Sequence, residues 1–288
     1  MVSVEFVWNR VPPQSSLAAG VGDGWPSQYD RAMPRWIRIA QLIGVLGVAL
    51  SVPACSTSAV SSGTPLASPV AHDDSVPAHV QFLRELERSV ARDTTSYRHA
   101  RADVQLHRDG TSVCHADCSS LLNEVFTQSL GIEEASVGAW LGRGRPRARD
   151  YFDTIVAARG FQRITSIGEV RVGDIIAIRY EAGASNTGHV MVVNATPRLS
   201  EATRPMTPNA KAWEVDVIDC SASGHGPGDS RVAPDGSFHP GIGRGTVRLF
   251  CDASGAFIGH TFTMSAVSPI RSAEQRPIAV GRVTRLSG

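Results

Sequence analysis

The sequence predicts an α+β domain, and three observations carry that assignment. Apolar residues recur at helical spacing from Val80 to about Val156. Beyond that point come six short runs rich in β-branched residues, separated by Gly, Pro, Asp and Asn. No internal repeat or low-complexity tract divides the two regions. Helices first and strands afterwards argue for one α+β domain with an antiparallel sheet.

The segment ahead of that domain reads as an address label. Arg35 and Arg38 precede an apolar run from Ile39 to Val52, which ends in Val52-Pro53-Ala54-Cys55. A basic start, an apolar stretch too short for a comfortable membrane span and small residues before a cysteine predict a lipoprotein signal over residues 33–54, with Cys55 the lipidated residue. A plain signal peptide cut elsewhere and an uncut anchor are the alternatives. All three export the residues beyond the sixties, and lipidation places the domain on the bacterial cell membrane facing away from the cytoplasm. Residues 1–32 lack periodicity and contain Pro12, Pro13 and several glycines, so an upstream start assignment or a disordered extension is expected there, with Met33 opening a leader of ordinary shape. Residues 55–75 are Ser, Thr, Ala, Pro and Gly with almost no large apolar residue, the composition of a flexible tether.

The domain is expected over residues 76–288. Val80, Leu83, Leu86 and Val90 predict a first amphipathic helix, ended by Arg92-Asp93-Thr94-Thr95. After it comes a loop holding Tyr97, His99 and His107. Cys118 then opens a helix marked by Leu121, Leu122, Val125 and Phe126. After a Gly/Arg/Pro loop from Gly142 to Pro146, the residues Tyr151, Ile155 and Val156 mark a third helix closed by Gly160. Strands are predicted around Ile175–Ile178, Val190–Val193, Val215–Ile218, Gly245–Phe250, Phe257–Phe262 and Ile278–Val283. Gly241-Ile242-Gly243-Arg244-Gly245 precedes a strand and no helix, so it reads as a turn and not as a phosphate-binding run.

With 28 basic against 27 acidic residues and a net charge of +1, the chain has no global field to gather nucleic acid or an anionic surface, which argues against a nucleic-acid partner.

The residues that carry chemistry are Cys118, at the expected start of a helix, and His189, at the expected start of a strand. A thiol is a nucleophile as thiolate, and a helix N-terminus favours that form while its unpaired N–H groups, here those of Cys118 and Ser119, make an oxyanion hole. An imidazole on a rigid strand completes a nucleophile-base pair. Asp219, which closes the strand Val215–Ile218, is expected to orient His189. Asp216 lies three positions away and points to the opposite face, and His225, on a mobile-looking Gly/Ser loop, is the runner-up.

Two other uses of these side chains compete. Cys114, His115 and Cys118, with Cys220, His225 and Cys251, offer metal-ligand chemistry, but no second pair has the short spacing of a zinc site, so neither a metal nor a cofactor is expected. With Cys55 lipidated and Cys118 free, an odd three cysteines remain, allowing at most one disulfide among them, for which Cys220 with Cys251 is the first choice. A Cys114–Cys118 bridge would abolish the nucleophile.

On Asp117-Cys118-Ser119-Ser120-Leu121, Gly173-Asp174-Ile175-Ile176 and Gly188-His189-Val190, the chain resembles the NlpC-like cell-wall hydrolases, a papain-fold superfamily of cysteine peptidases and amidases. The resemblance spans roughly Tyr97 to Asp219. It implies a papain-like fold, attack by Cys118 on an amide of peptidoglycan stem peptides, His189 as general base and a third polar residue orienting its ring. Ser120 stands where the family has glycine, and Tyr97 is a distant candidate for the family's tyrosine ahead of the nucleophile. More narrowly, the chain is similar to uncharacterised exported bacterial proteins sharing the runs Arg145–Tyr151, Thr187–Met191 and His225–Arg231, the last of the form His-Gly-x-x-Asp-x-Arg. Arg143, Arg145, Arg147 and Arg149 would suit the carboxylates of an envelope peptide, with Tyr97 and His225 as further substrate contacts, or else form a solvated basic loop. Acyl transfer in place of hydrolysis, and a non-catalytic envelope lipoprotein using the fold as a binding or scaffolding module, are the alternatives that remain open.

Overall fold

The computed structural model describes residues 76–284, so the expected leader, Cys55 and the tether lie outside the described residues. In chain order the elements are α1 (Ala78–Ser89), β1 (Val90–Tyr97), β2 (Asp103–Gln105), β3 (Ser112–Ala116), α2 (Cys118–Leu130), α3 (Glu134–Leu141), α4 (Ala148–Val156), β4 (Phe161–Ile164), β5 (Ile175–Arg179), β6 (Gly188–Val193), β7 (Arg198–Leu199), β8 (Lys211–Ser221), β9 (Gly241–Cys251), β10 (Phe257–Thr261), β11 (Arg271–Ser272) and β12 (Ile278–Val283). Among the described residues no helix is long and apolar enough to cross a membrane.

The large sheet runs β11-β10-β9-β8-β6-β5-β12-β4, with β7 on β8, and all its pairings are antiparallel. Its spine is β8 on β9, in register from Lys211 opposite Cys251 to Ser221 opposite Gly241. Successive side chains of a strand point to opposite faces, and the apolar residues divide accordingly. Ile175, Ala177, Val190, Val192, Ile218 and Cys220 join the core that includes the buried sides of α1, α2 and α4. Ile176, Ile178, Met191, Val193, Val215 and Val217 form a second core with Val247 and Leu249. Both faces of β5 and β6 are covered, which is why they read as unbroken apolar runs.

A second sheet, order β1-β3-β2, precedes the α2 helix. In it β1 and β3 are parallel, with Tyr97 opposite Ala116. Here the structure corrects the sequence reading in two places. Val90 continues the apolar spacing of α1, yet the backbone turns extended there, and Arg92–Thr95 is strand. The β-branched Thr94 and Thr95 favour that conformation, and periodicity does not register a strand that starts where a helix stops. Gly241–Gly245 is likewise not a turn but the first half of β9, because side chains of the candidate site occupy the room its glycines leave. The third expected helix ends at Val156, with Ala158 already left-handed two residues before Gly160, and α3 is a helix that the apolar spacing does not mark.

Candidate active site

The site starts from the α2 cap. Asp117 precedes the helix with extended backbone, and its Oδ1 accepts from the Ser120 N–H at 2.7 Å and from the Ser119 hydroxyl at 3.0 Å. Ser120 Oγ in turn accepts from the Asp117 N–H at 2.9 Å, closing a reciprocal cap. A glycine at 120 would lack that return bond. The Leu121 N–H goes to the Asp117 carbonyl. Of the four N–H groups that a helix start leaves without intrahelical partners, those of Cys118 and Ser119 have no partner among the described residues. Burial works against the Asp117 charge, but these hydrogen bonds, with one from His99, hold its carboxyl below the usual range.

His189 is placed by Gly188, whose φ is 148°. A β-carbon there would collide with the Ile178 carbonyl on β5, so only glycine lets β6 begin this close to its neighbour. The buried imidazole then stands between two groups. Its Nε2 lies 2.5 Å from Asp219 Oδ2, which leaves Nδ1 uncommitted, and Cys118 is near enough to act on the ring. Burial alone would lower the imidazole pKa. The electrostatic influence of Cys118 and the bond to Asp219 outweigh it and push it up to about 10. Phe262 meets the His189 ring edge-on at 5.9 Å. On its other flank Phe262 packs on His260, a buried ring whose nitrogens have no hydrogen-bond partner among the described residues, pushed down to about 3 by burial and by Arg276, Arg271 and His189.

Asp219 is the hub of the buried groups. Its Oδ2 also meets His225 Nε2 at 3.0 Å, and Arg231 Nη1 stands 2.9 Å from Oδ1 as an ion pair without hydrogen-bond alignment. Burial raises the cost of its charge, yet Arg231, His225 and His189 keep the carboxyl well below the ordinary range. Arg231 is held in turn by Asp229, Nε to Oδ1 at 2.8 Å and Nη2 to Oδ2 at 2.8 Å. The run His225–Arg231 is therefore a tightly bonded segment, not a mobile loop. His225 is buried and lies behind Asp219 and not in the cleft, which corrects its expected role as a substrate contact.

The glycines of β9 make room for this. Gly243 is opposite Asp219 and Gly245 opposite Val217, so all four share one face. A β-carbon at Gly243 would lie 2.6 Å from Arg231 Cγ, and one at Gly245 would lie 2.6 Å from His225 Cδ2. Glycine at alternate positions of a strand is the signal that the sequence reading missed.

Cys118 and Ser119 help line a cleft of about 300 Å³, together with Tyr97, Arg143, Arg145 and Arg147. The parallel β1–β3 pairing brings Tyr97 beside the start of α2, although 21 positions separate it from Cys118. Burial, then the Cys118 and Asp117 charges, raise the Tyr97 phenol strongly. Arg145 is partly spent on structure, its Nη2 donating to the carbonyls of His99 at 2.7 Å and Ala100 at 2.6 Å. Arg147 donates its main-chain N–H to Asp150 at the start of α4. Asp174 of the Gly173-Asp174 run is buried and paired with Arg282, Nε to Oδ1 at 2.8 Å, a structural tie between the start of β5 and β12.

His189, Asp219 and His225 place their ligand atoms within 4.8 Å of one another, close enough to consider a metal ion. They fit one poorly. Both imidazoles aim at the same carboxylate oxygen, and a cation between them would stand against Arg231 on the other oxygen. The set weighed from sequence, Cys114, His115, Cys118, Cys220, His225 and Cys251, is not the group that the fold gathers. The four cysteines among the described residues are free. Cys220 and Cys251 do end strands, but at opposite ends of the ladder, Cys220 opposite Ile242 and Cys251 opposite Lys211, so they cannot pair. The Cys220 thiol instead donates to the Ala116 carbonyl at 3.1 Å, on the strand that carries Cys114, and Cys114 is near enough to raise the Cys220 pKa.

No protein-family model matches the chain, and no solved structure matches it. It is similar, at 29% identity over 224 residues, to the uncharacterised protein R653 of Acanthamoeba polyphaga mimivirus, an alignment that covers 73% of this chain and 98% of the viral protein.

Proposed function

We propose that the protein is a cysteine hydrolase of the papain-like, NlpC-like kind that cleaves amide bonds, with peptide stems of the cell envelope as its substrate class. The observation that carries this reading is the placing of Cys118, at the first position of α2 and on the wall of a cleft, close enough to act on a buried His189 ring that is itself bonded to Asp219. Cys118 attacks the carbonyl carbon, and the oxygen gathers charge between the N–H groups of Cys118 and Ser119. His189 gives its Nδ1 proton to the leaving amine and then takes one from the water that splits the thioester. Asp219 holds the ring and stabilises its charged form. Export and lipid anchoring at Cys55 belong to the same proposal, and the chain contributes these steps without a cofactor.

The test is alkylation of the reduced full-length protein with limiting iodoacetamide from pH 5 to 9, locating the modified cysteine by mass spectrometry. Selective labelling of Cys118 at neutral pH, slowed in His189→Ala, is the expected result. Labelling of Cys118 no faster than of Cys114 or Cys220 overturns the reading and leaves a non-catalytic binding module as the better account. With purified peptidoglycan, release of new amino termini that Cys118→Ala abolishes is expected.

A further inference from the structure

The run His225–Arg231 has no part in the chemistry just described, yet it contains three buried charged or titratable side chains, His225, Asp229 and Arg231, that converge behind Asp219. A carboxylate with no exposure is costly to keep ionised, and one that takes up a proton no longer serves as a pure acceptor for His189. Asp219 is relieved on both oxygens: Arg231 stands at Oδ1 and two imidazoles share Oδ2.

His225 is engaged at both ring nitrogens. Nε2 faces Asp219 Oδ2 at 3.0 Å, and Nδ1 faces the Phe262 carbonyl at 2.8 Å. Both partners are acceptors, so the ring makes both bonds only while both nitrogens carry hydrogen. In that state the group of Asp219, Asp229, Arg231 and His225 balances two negative charges with two positive ones. Asp229 pins both ends of the run, since its Oδ2 also accepts from the His225 N–H at 2.7 Å and its Oδ1 from the Arg231 N–H at 2.9 Å. Ser230 ties the middle to β9, donating to the Arg244 carbonyl at 2.9 Å and accepting from the Arg244 N–H at 2.8 Å. The glycines at 243 and 245 admit the two long side chains.

We propose that His225, Asp229 and Arg231 form a buried, charge-balanced clamp whose role is to hold Asp219 ionised and aimed at His189, with His225 acting as a doubly protonated second imidazole. They are positioning residues: they touch no substrate and act through Asp219. That role, though not the clamp itself, rests on the reading of Cys118 and His189 as nucleophile and base. The charged and titratable groups facing His225 are Asp219 from β8, Asp229 and Arg231 from its own segment, and His189 from β6, with ring centroids 6.3 Å apart.

Two measurements on the full-length protein test it. Long-range proton-nitrogen spectra of histidine-labelled protein, with His225 assigned by its loss in His225→Gln, are expected to show both ring nitrogens of His225 protonated at neutral pH. One unprotonated nitrogen overturns the clamp as drawn, and the protonation state itself is read on the wild-type protein. The second is the rate of Cys118 alkylation against pH in His225→Gln and Arg231→Met, read beside the thermal midpoint. A positioning role predicts a rate at neutral pH lower by about tenfold, the low end of the losses seen when groups that orient metal-ligating histidines are removed, and a profile displaced to higher pH. A lowered midpoint with an unchanged rate and profile would reduce the clamp to a structural one. If wild-type Cys118 is not selectively alkylated, the catalytic reading fails while the histidine spectra still decide the clamp.

Discussion

Gly243 lies directly across the β8–β9 ladder from Asp219, and the space its missing side chain leaves is filled by the Arg231 arm that reaches Asp219 Oδ1. A strand glycine normally weakens a sheet. Here it is the condition for bringing a guanidinium to a buried carboxylate, so the site depends on a residue that has no side chain of its own.

Gly243→Ala is therefore expected to destabilise the protein although alanine suits a strand no worse than glycine. The added carbon would meet Arg231 Cγ at 2.6 Å, Nε at 2.7 Å and Cδ at 2.8 Å, the buried middle of the side chain and not its free end. Overpacking of this kind costs roughly 1–3 kcal/mol, read as a lower urea midpoint with an unchanged slope. Gly236→Ala, whose β-carbon would meet nothing within 4 Å, strains only a left-handed turn and separates backbone strain from the clash. Equal stability of Gly243→Ala and wild type would mean that Arg231 does not cross the strand.

The pH dependence of stability follows from His189 and Asp219. The folded His189 value, about 10, lies above the unfolded 6.5, so its contribution is complete below pH 6.5 and is lost as pH rises toward 10. Asp219 is depressed, so its contribution is present above its unfolded value of 3.8 and is lost as pH falls below that. Urea unfolding from pH 3 to 10 should show a plateau between about pH 5 and 6.5 with a decline on each side. On the alkaline limb the slope should approach at most about 1.4 kcal/mol per pH unit for the one proton concerned. His189→Ala should flatten that limb and leave the acid limb in place. An alkaline limb that persists in His189→Ala would assign it to other groups.

Much of this arrangement could be read in the chain, and the remainder was hidden for definite reasons. Cys118 and His189 were marked by their local context, a helix start and a Gly-His strand start, and Asp219 by closing a β-branched run. Those signals are short-range. Tyr97 and His225 were harder, because each reaches the site through a pairing that local sequence does not encode. Tyr97 arrives by a parallel ladder between β1 and β3, and His225 by lying over glycines of a strand that comes after it in the chain. The same glycines misled the reading of residues 241–245, since glycine at alternate positions looks like a turn unless something else needs the room. For the cysteines, ending neighbouring strands does not say at which end of the ladder each thiol stands.

Asp219→Asn separates two effects that act in opposite ways on interpretation. Asparagine keeps the shape but removes the charge that helps hold His189 protonated, so Cys118 alkylation at neutral pH should slow. It also leaves Arg231 and His225 facing a neutral amide in a buried site, and breaking such an ion pair costs on the order of 3–5 kcal/mol. The rate must therefore be read on protein shown to be folded by its near-ultraviolet circular dichroism. Folded Asp219→Asn that alkylates at the wild-type rate would remove Asp219 from the catalytic arrangement while leaving it a structural hub.

Oxidation offers a check on the cysteine geometry that is independent of activity. Cys114 and Cys220 are buried, and the neighbouring Cys114, then burial, hold the Cys220 thiol well above its ordinary pKa, so exchange should be slow in the folded state. With oxidised glutathione as the disulfide oxidant, the two thiols would form one disulfide and release two molecules of reduced glutathione. Peptide mapping without reduction, after long incubation of the full-length protein, is expected to recover Cys114 joined to Cys220 and Cys251 unlinked. Because Cys114 lies on β3, just ahead of Cys118, and Cys220 comes directly after Asp219 on β8, the bridge would tie the strand before the nucleophile helix to the strand that carries Asp219. It should raise the thermal midpoint while leaving Cys118 open to iodoacetamide. Recovery of Cys114 joined to Cys118 would place the nucleophile in a different pairing and contradict the contacts drawn around His189. Recovery of Cys220 joined to Cys251 would require a different β8–β9 register.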